Sequence, residues 1–498
     1  MIRTKTSGVS ITYATRRKFR YLIYWLLAAS LLLIGHMKLH AQSGASIYHL
    51  QNETYQGSFF NPAFHPNEKF ILGIPVLSGM TVGANAPFTF NEVTVENERG
   101  NLEVSEQMLA DQLEDKTFVS WESDFTLLYL GWKPRKKIGV SFSARQRAFG
   151  TAYIDRDIGR LAILGNSEFE NRTIILERTL VDVRYLREYG LAFAGTATDY
   201  NIDIGMRVKM IHGIANIVSD PDADATIFVG DGFEQSARIS SIILRTSGLE
   251  SMDVPRNHYS PNKNFGLGID MGVNWRVQPQ WSLAIAVNDF GFISWKADNK
   301  IYQANDVDVE VDGAEDVIGN GSINSILVDS IQHVLEADTT TDRYRTALNT
   351  NVYASSTYHI TSKDMATLSL ATYFVQNQSR VMFSLGYTRK VGNFLAVSAN
   401  ATRVPQDGFD LGMGLALDFA GMKVYAASDK LTKIWDYENA QAFDARFGMV
   451  FIFGRGKNRA KKVQGPEDAE YNDGAIYQKI RRQRPPQPYR YPKRTKLG

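Results

Sequence analysis

The sequence predicts an all-β chain: an antiparallel transmembrane β-barrel of about 14 strands (roughly 14–16), with a few short loop helices. Three observations carry that expectation. Apolar residues recur with period two over segments longer than an ordinary strand. The residues between them are small or singly charged, unlike the bulky polar face that water would cover. The connections alternate between tight polar turns and long stretches.

Residues 1–41 read as a secretory signal peptide. Arg16, Arg17, Lys18 and Arg20 precede "YLIYWLLAASLLLIG" (21–35), an uncharged run of 15 residues. A membrane-spanning helix needs about 20. Ala41 is the expected residue before the cut, and an uncleaved anchor is the alternative. The chain has no cysteine, which excludes an N-terminal lipidated cysteine, disulfides and thiolate metal sites.

Residues 42–67 form a lead-in that ends in "SFFNPAFHP" (58–66). Pro62 and Pro66 bar regular ladder or helix at their own positions. Phe59, Phe60 and Phe64 still need an apolar surrounding. Together with Asn61 and Pro62 they are the candidates for a lumen plug, packed in the barrel base by a rigid, extended segment. An ordinary Asn-Pro turn before the first strand accounts for the same residues.

Residues 68–454 are the barrel. In "FDLGMGLALDF" (409–419) the odd positions are Phe, Leu, Met, Leu, Leu and Phe, and the even ones Asp, Gly, Gly, Ala and Asp. "FGLGIDMGVNWR" (265–276) and "FDARFGMVFIF" (443–453) repeat the pattern. Membrane-spanning strands need about 9–11 residues, which these reach. Sixteen candidates result: 68–90, 122–132, 137–148, 183–196, 201–212, 224–230, 234–247, 263–276, 280–295, 345–360, 365–375, 380–390, 393–404, 408–419, 421–428 and 442–454. The pair 224–230/234–247 is the weakest. Short turns at 133–136, 198–201, 277–280, 361–364 and 390–393 contrast with long loops at 149–171, 248–262 and 297–343. That is the periplasmic/extracellular asymmetry of outer-membrane barrels. Trp132, Trp275 and Trp281 flank the short turns, where an aromatic girdle belongs. Residues 323–335 space their apolar positions as a loop helix. On this parity Arg145, Asp203, Arg207, Asp270, Asp410, Asp418 and Arg446 face the lumen and pair there. Leu415 faces lipid, and a serine at the inward Gly414 is expected to be mild.

Residues 455–498 are basic and Pro-rich, with 13 Lys+Arg against 4 Asp+Glu. Residues 42–454 carry 49 acidic and 35 basic residues, so the net charge of +2 hides an acidic body with a basic tail. Such a tail reads as disordered and suited to a periplasmic partner or peptidoglycan. Nucleic acid is not an expected partner; outer-membrane lipid is.

"FFNPAFHP" followed by "ILGIPVLSG" resembles the N-terminal signature of a family of Bacteroidota outer-membrane barrels of unknown function. "AVNDFGFISWK" (286–296) and "VYAASDKL" with "FDARFGMVFIFGR" (within 424–455) resemble its central and closing motifs. The Asn61-Pro62-Ala63 stretch is distantly similar to fatty-acid-transporter-type barrels and to barrels of the type IX secretion machinery. That resemblance implies about 14 strands and an N-terminal segment tucked into the lumen or mouth.

Catalytic and cofactor motifs are missing from the sequence: there is no His-Glu-x-x-His, Walker loop or G-x-S-x-G. "DVDVEVDG" (306–313) and "DPDADA" (220–225) imitate calcium loops but lack the closing Glu and the Gly, respectively. No cofactor, metal or catalytic residue is therefore expected. The first functional expectation is a non-enzymatic scaffold or accessory subunit of a surface or secretion machine. The second is a channel for hydrophobic or small solutes, and the third an enzyme set in the barrel, which would need a Ser/His or acid/His pair at one rim.

Overall fold

The computed structural model describes residues 44–454, apart from 67, 166–167, 178, 231–234, 250–262, 312–338, 377, 405–407 and 435–436. The leader, the basic tail and the helix expected at 323–335 lie outside the described residues.

Fourteen strands close an antiparallel wall. Strand β1 is Phe70–Gly73 continued by Gly79–Asn85. There follow β2 (Lys116–Arg135), β3 (Ile138–Asp155), β4 (Leu180–Ala197), β5 (Ile202–Ser219), β6 (Phe265–Gln278) and β7 (Trp281–Trp295). The second half is β8 (Asn351–His359), β9 (Asp364–Val375), β10 (Gln378–Val391), β11 (Leu395–Val404), β12 (Gly408–Phe419), β13 (Met422–Ser428) and β14 (Ala442–Phe453). Each pairs with its chain neighbour, and β1 closes the ring by pairing with both β14 (Ile71 opposite Ile452) and β2 (Ile71 opposite Gly131). A closed ring leaves no edge, which is the condition for a sheet in lipid.

Alternation decides which residues point where. On β6, Phe265, Leu267, Ile269 and Met271 are exposed on the outside, while Gly266, Gly268, Asp270 and Gly272 are buried inside. β5 repeats this with Ile204, Met206, Val208 and Met210 outward and Gly205, Arg207 and Lys209 inward. A continuous belt of exposed Leu, Ile, Met and Phe is costly in water and favourable in hydrocarbon. Trp132, Tyr200, Trp281, Tyr358, Phe394, Phe419 and Phe453 are exposed beside the short turns and chain ends, forming one girdle. Trp275 is half-buried. No described helix is long and apolar enough to cross a membrane.

The weak pair of candidate strands corrects the count of sixteen. Asp224–Val229 and Gln235–Ser247 are indeed strands, but they are not in the wall, because β5 pairs directly with β6. They extend from the tip of β5 into a side sheet with Arg172–Glu177, Asn299–Val311 and Thr339–Thr340. Two stretches expected as loops therefore hold regular structure. Residues 297–343 include a 13-residue strand, and 149–171 include the end of β3 and the helix Arg156–Leu164.

Candidate functional site

The site is the lumen and the N-terminal segment within it. Helix α1 (Ala45–Leu50) has all six residues buried. Six residues cannot hold a helix alone in water, so the wall must hold it. The Ser46 amide donates to Asp429 Oδ1 at 2.6 Å, and its hydroxyl to Asn400 Oδ1 at 2.8 Å. Tyr48 stacks on Tyr353 with centroids 5.8 Å apart and donates to Ser355 Oγ at 2.8 Å. His49 Nε2 bonds Ser384 Oγ at 2.9 Å, while Nδ1 has no partner among the described residues. Burial pushes this imidazole down to about 4, with the Asp429 carboxylate pulling more weakly upward.

The segment then crosses to the opposite wall. Tyr55 packs on Tyr129 at 4.0 Å and donates to the Ser78 carbonyl at 2.8 Å; Gln56 Nε2 donates to the same oxygen at 3.1 Å. Gly57–Phe60 form a helical turn, which corrects the expectation of a fully extended lead-in. The correction has a physical cause: Pro62 constrains the residue next to it, not those two and more before it, and Asn61 is where the chain becomes extended.

All five plug candidates lie in the lumen. Phe59 sits between two guanidinium groups, with Arg145 at 4.2 Å and Arg207 at 4.6 Å from its ring centre. This places it well up the wall from the short turns, above the base position expected. Phe60 packs edge-on to Tyr48 and Tyr353, and Phe64 is buried against Tyr48. Asn61 Oδ1 accepts from the Ala63 amide at 2.9 Å, closing a tight turn through Pro62. That turn is seated on two inward glycines. A Cβ on Gly205 would stand 2.2 Å from the Pro62 carbonyl carbon, and one on Gly272 would stand 2.0 Å from Asn61 Oδ1. The small inner face of β5 and β6 is thus the seat of the Asn-Pro turn.

The charged residues expected in the lumen divide into three groups. Arg207 pairs with Asp270 at 3.2 Å, and Lys209 joins Asp270 at 2.6 Å and also Asp289. Arg147 bridges Glu188 at 3.1 Å and Asp289 at 3.2 Å, while Arg145 pairs with Asp124 and reaches Glu188 at 3.5 Å. A second cluster holds Arg446 against Asp429 at 3.0 Å, Glu122 at 3.1 Å and Asp444, with Lys430 on Asp410 beside it. Asp203 and Asp418 stand apart near the short turns, the first on Arg276 and the second opposite Lys423. The partners Glu122 and Asp124 could have been read from the parity of β2. Asp289 could not: its φ of 57° marks a bulge that turns both Asn288 and Asp289 inward.

Between plug and wall, towards the long loops, lies a cavity of about 140 Å³. Ile47, Gln56, Phe59 and Phe60 form its floor. Charged residues of β2–β5 line one side, and Tyr353, Tyr373 and Val375 the other. It is thus a mixed polar and aromatic space, without a continuous apolar lining. Among the described residues no group of three or more His, Asp or Glu is arranged to hold a metal. The His49–Ser384 contact is buried between the plug helix α1 and strand β10, and no carboxylate bonds Nδ1.

The profile of a family of unknown function, DUF5723, matches residues 62–429, from the Asn-Pro turn to the start of the last loop. The chain belongs to that family. No curated protein matches it in sequence. Among solved structures it is similar to a Pseudomonas aeruginosa FadL homologue, with 10% identity over 80% of this chain and 94% of that one, TM-score 0.38. It is also similar to the Ralstonia pickettii toluene transporter TbuX, with 10% identity over 79% and 92%, TM-score 0.36. A third is the translocator domain of the autotransporter NalP from Neisseria meningitidis, with 9% identity over 82% and 97%, TM-score 0.31.

Proposed function

We propose that this protein is a non-enzymatic outer-membrane channel for small solutes, in which residues 44–66 are a docked plug and the cavity above them is the capture site. The observation that carries this reading is the cavity itself. Its floor is made by the plug, so moving the plug would join the captured volume to the short-turn side. The leader-like residues 1–41 and the apolar belt support export and outer-membrane insertion. A scaffold or accessory subunit is the second reading. What favours it is the lumen crossed by mutually paired charges, an arrangement that resists opening. The basic tail then serves to recruit an acidic periplasmic partner or peptidoglycan.

Single-channel recording in planar bilayers separates the two. The full-length protein should be closed or nearly so, and deletion of residues 44–66 should open a steady conductance while the barrel stays folded. A folded deletion variant that conducts no more than the full-length protein would leave the scaffold reading standing.

A further inference from the structure

We infer that the cavity takes a small zwitterion with an apolar side chain, the chemistry of a free α-amino acid; this rests on the reading of the cavity as a solute site. Both signs of charge reach the space. Glu122 keeps 24% of its side chain accessible, Arg147 22% and Asp124 18%. A neutral hydrocarbon would strip water from these groups and return no hydrogen bond. A simple anion would meet Glu122 and Asp124, and a simple cation would meet Arg147, each at the cost of like-charge repulsion.

Two of these groups also have bonding capacity left. Among the described residues the hydrogen bonds of Arg147 all leave from Nη1, to Glu188 and Asp289. Glu122 accepts through Oε1 alone, from Arg446. Glu122 stands opposite Phe149 and Asp124 opposite Arg147, so Glu122 and Arg147 are diagonal neighbours on β2 and β3. Such neighbours lie roughly 7–8 Å apart at the backbone, within joint reach of a ligand that carries its ammonium and carboxylate on one carbon. Across the cavity, Phe60 meets Tyr353 at 5.5 Å and Tyr353 meets Tyr373 at 5.9 Å, both edge-on, giving an aromatic wall for the side chain. The volume sets the size limit. About 140 Å³ is close to the roughly 150 Å³ that holds one benzene ring, which shuts out long acyl chains and oligosaccharides.

Titration calorimetry on the full-length barrel in detergent tests this, with L-valine, 3-methylbutanoate (no ammonium), 2-methylpropylamine (no carboxylate), 2-methylpropanol and oleate as probes. L-Valine should bind on the order of tenfold more tightly than either singly charged analogue. Glu122→Gln should bring it down to the affinity of 3-methylbutanoate, and Arg147→Gln to that of 2-methylpropylamine, with both variants still heat-modifiable on gels. Equal or tighter binding of 2-methylpropanol or oleate, no measurable binding of L-valine, or folded Glu122→Gln and Arg147→Gln variants that both bind L-valine normally, would each overturn the assignment. The bilayer recording is independent of it. Binding without conductance in the plug deletion retains the ligand class and removes the channel, and the converse does the opposite.

Discussion

At the scale of single residues, the inner glycines and one histidine make the plug testable. Gly205→Val would drive a branched side chain into the Pro62 carbonyl carbon, which an added Cβ already approaches to 2.2 Å. The plug should be displaced while the wall stays closed, so conductance should rise in a folded barrel; unchanged conductance would mean that the turn can shift and stay seated. The same packing reverses the expectation for Gly414→Ser. A Cβ there meets Ser398 Oγ at 2.5 Å, the Ser46 carbonyl at 3.0 Å and Leu50 at 3.1 Å, because α1 lies directly against it. That substitution should cost about 1–3 kcal/mol as an overpacked core does, comparable to the roughly 2–4 kcal/mol of Leu415→Arg on the lipid face. Thermal gel-shift midpoints of the two variants measure both. Parity showed that Gly414 points inward but not what fills the inside.

His49 gives the plug a pH dependence with a definite sign. Docked, it stays neutral down to about pH 4; released into water, it titrates near 6.5. The released state therefore gains protons first as pH falls from 6.5 to 4, and docking weakens across that window by up to about 3 kcal/mol. Above pH 6.5 the effect vanishes. Proteolysis of the N-terminal segment should accelerate between pH 6.5 and 4 in the native protein and much less in His49→Gln. Equal acceleration in both would assign the effect to the lumen carboxylates.

At the scale of elements, wall and side sheet differ in how much of each the sequence carries. The wall strands are legible because lipid on one side and a packed lumen on the other impose the same two-residue period on every one. Asp224–Val229 and Gln235–Ser247 show that period too, since a sheet with one covered face imposes it in water as well. Pattern alone could not separate them from wall strands, and Asn299–Val311 was hidden because its partner lies more than fifty residues earlier in the chain. α1 was hidden for the opposite reason: its six residues are a helix by virtue of their surroundings. Since β5 and β6 pair from Ile202/Trp275 to His212/Phe265 without help from the side sheet, replacing residues 221–247 by a short turn should leave a folded, heat-modifiable barrel. Failure to assemble would show that the side sheet is needed to bring β5 and β6 together.

At the scale of the whole molecule, ring closure and plugging are one problem. The ring closes through β1, and β1 is interrupted: the five residues 74–78 stand opposite only Leu127 and Leu128 of β2. The excess bulges out of the wall, with Val76 at a left-handed φ of 65° that β-branched residues rarely adopt. The gap is patched by the Val76 amide on the Thr126 carbonyl at 3.2 Å and the Met449 amide on the Leu77 carbonyl at 2.7 Å. The Ser78 carbonyl at the end of the bulge accepts instead from Tyr55 and Gln56 of the plug. Losing one of these two donors while the other stays costs about 0.5–1.5 kcal/mol, the net worth of a single hydrogen bond. Tyr55→Phe keeps the ring on Tyr129 and removes only that donor, so the temperature at which the compact gel band is lost should fall by a few degrees. Deleting residues 44–66 removes both donors and should lower it further. If Tyr55→Phe unfolds at the wild-type temperature while the deletion does not, the plug stabilises the barrel by filling it, and the seam at β1 holds without its help.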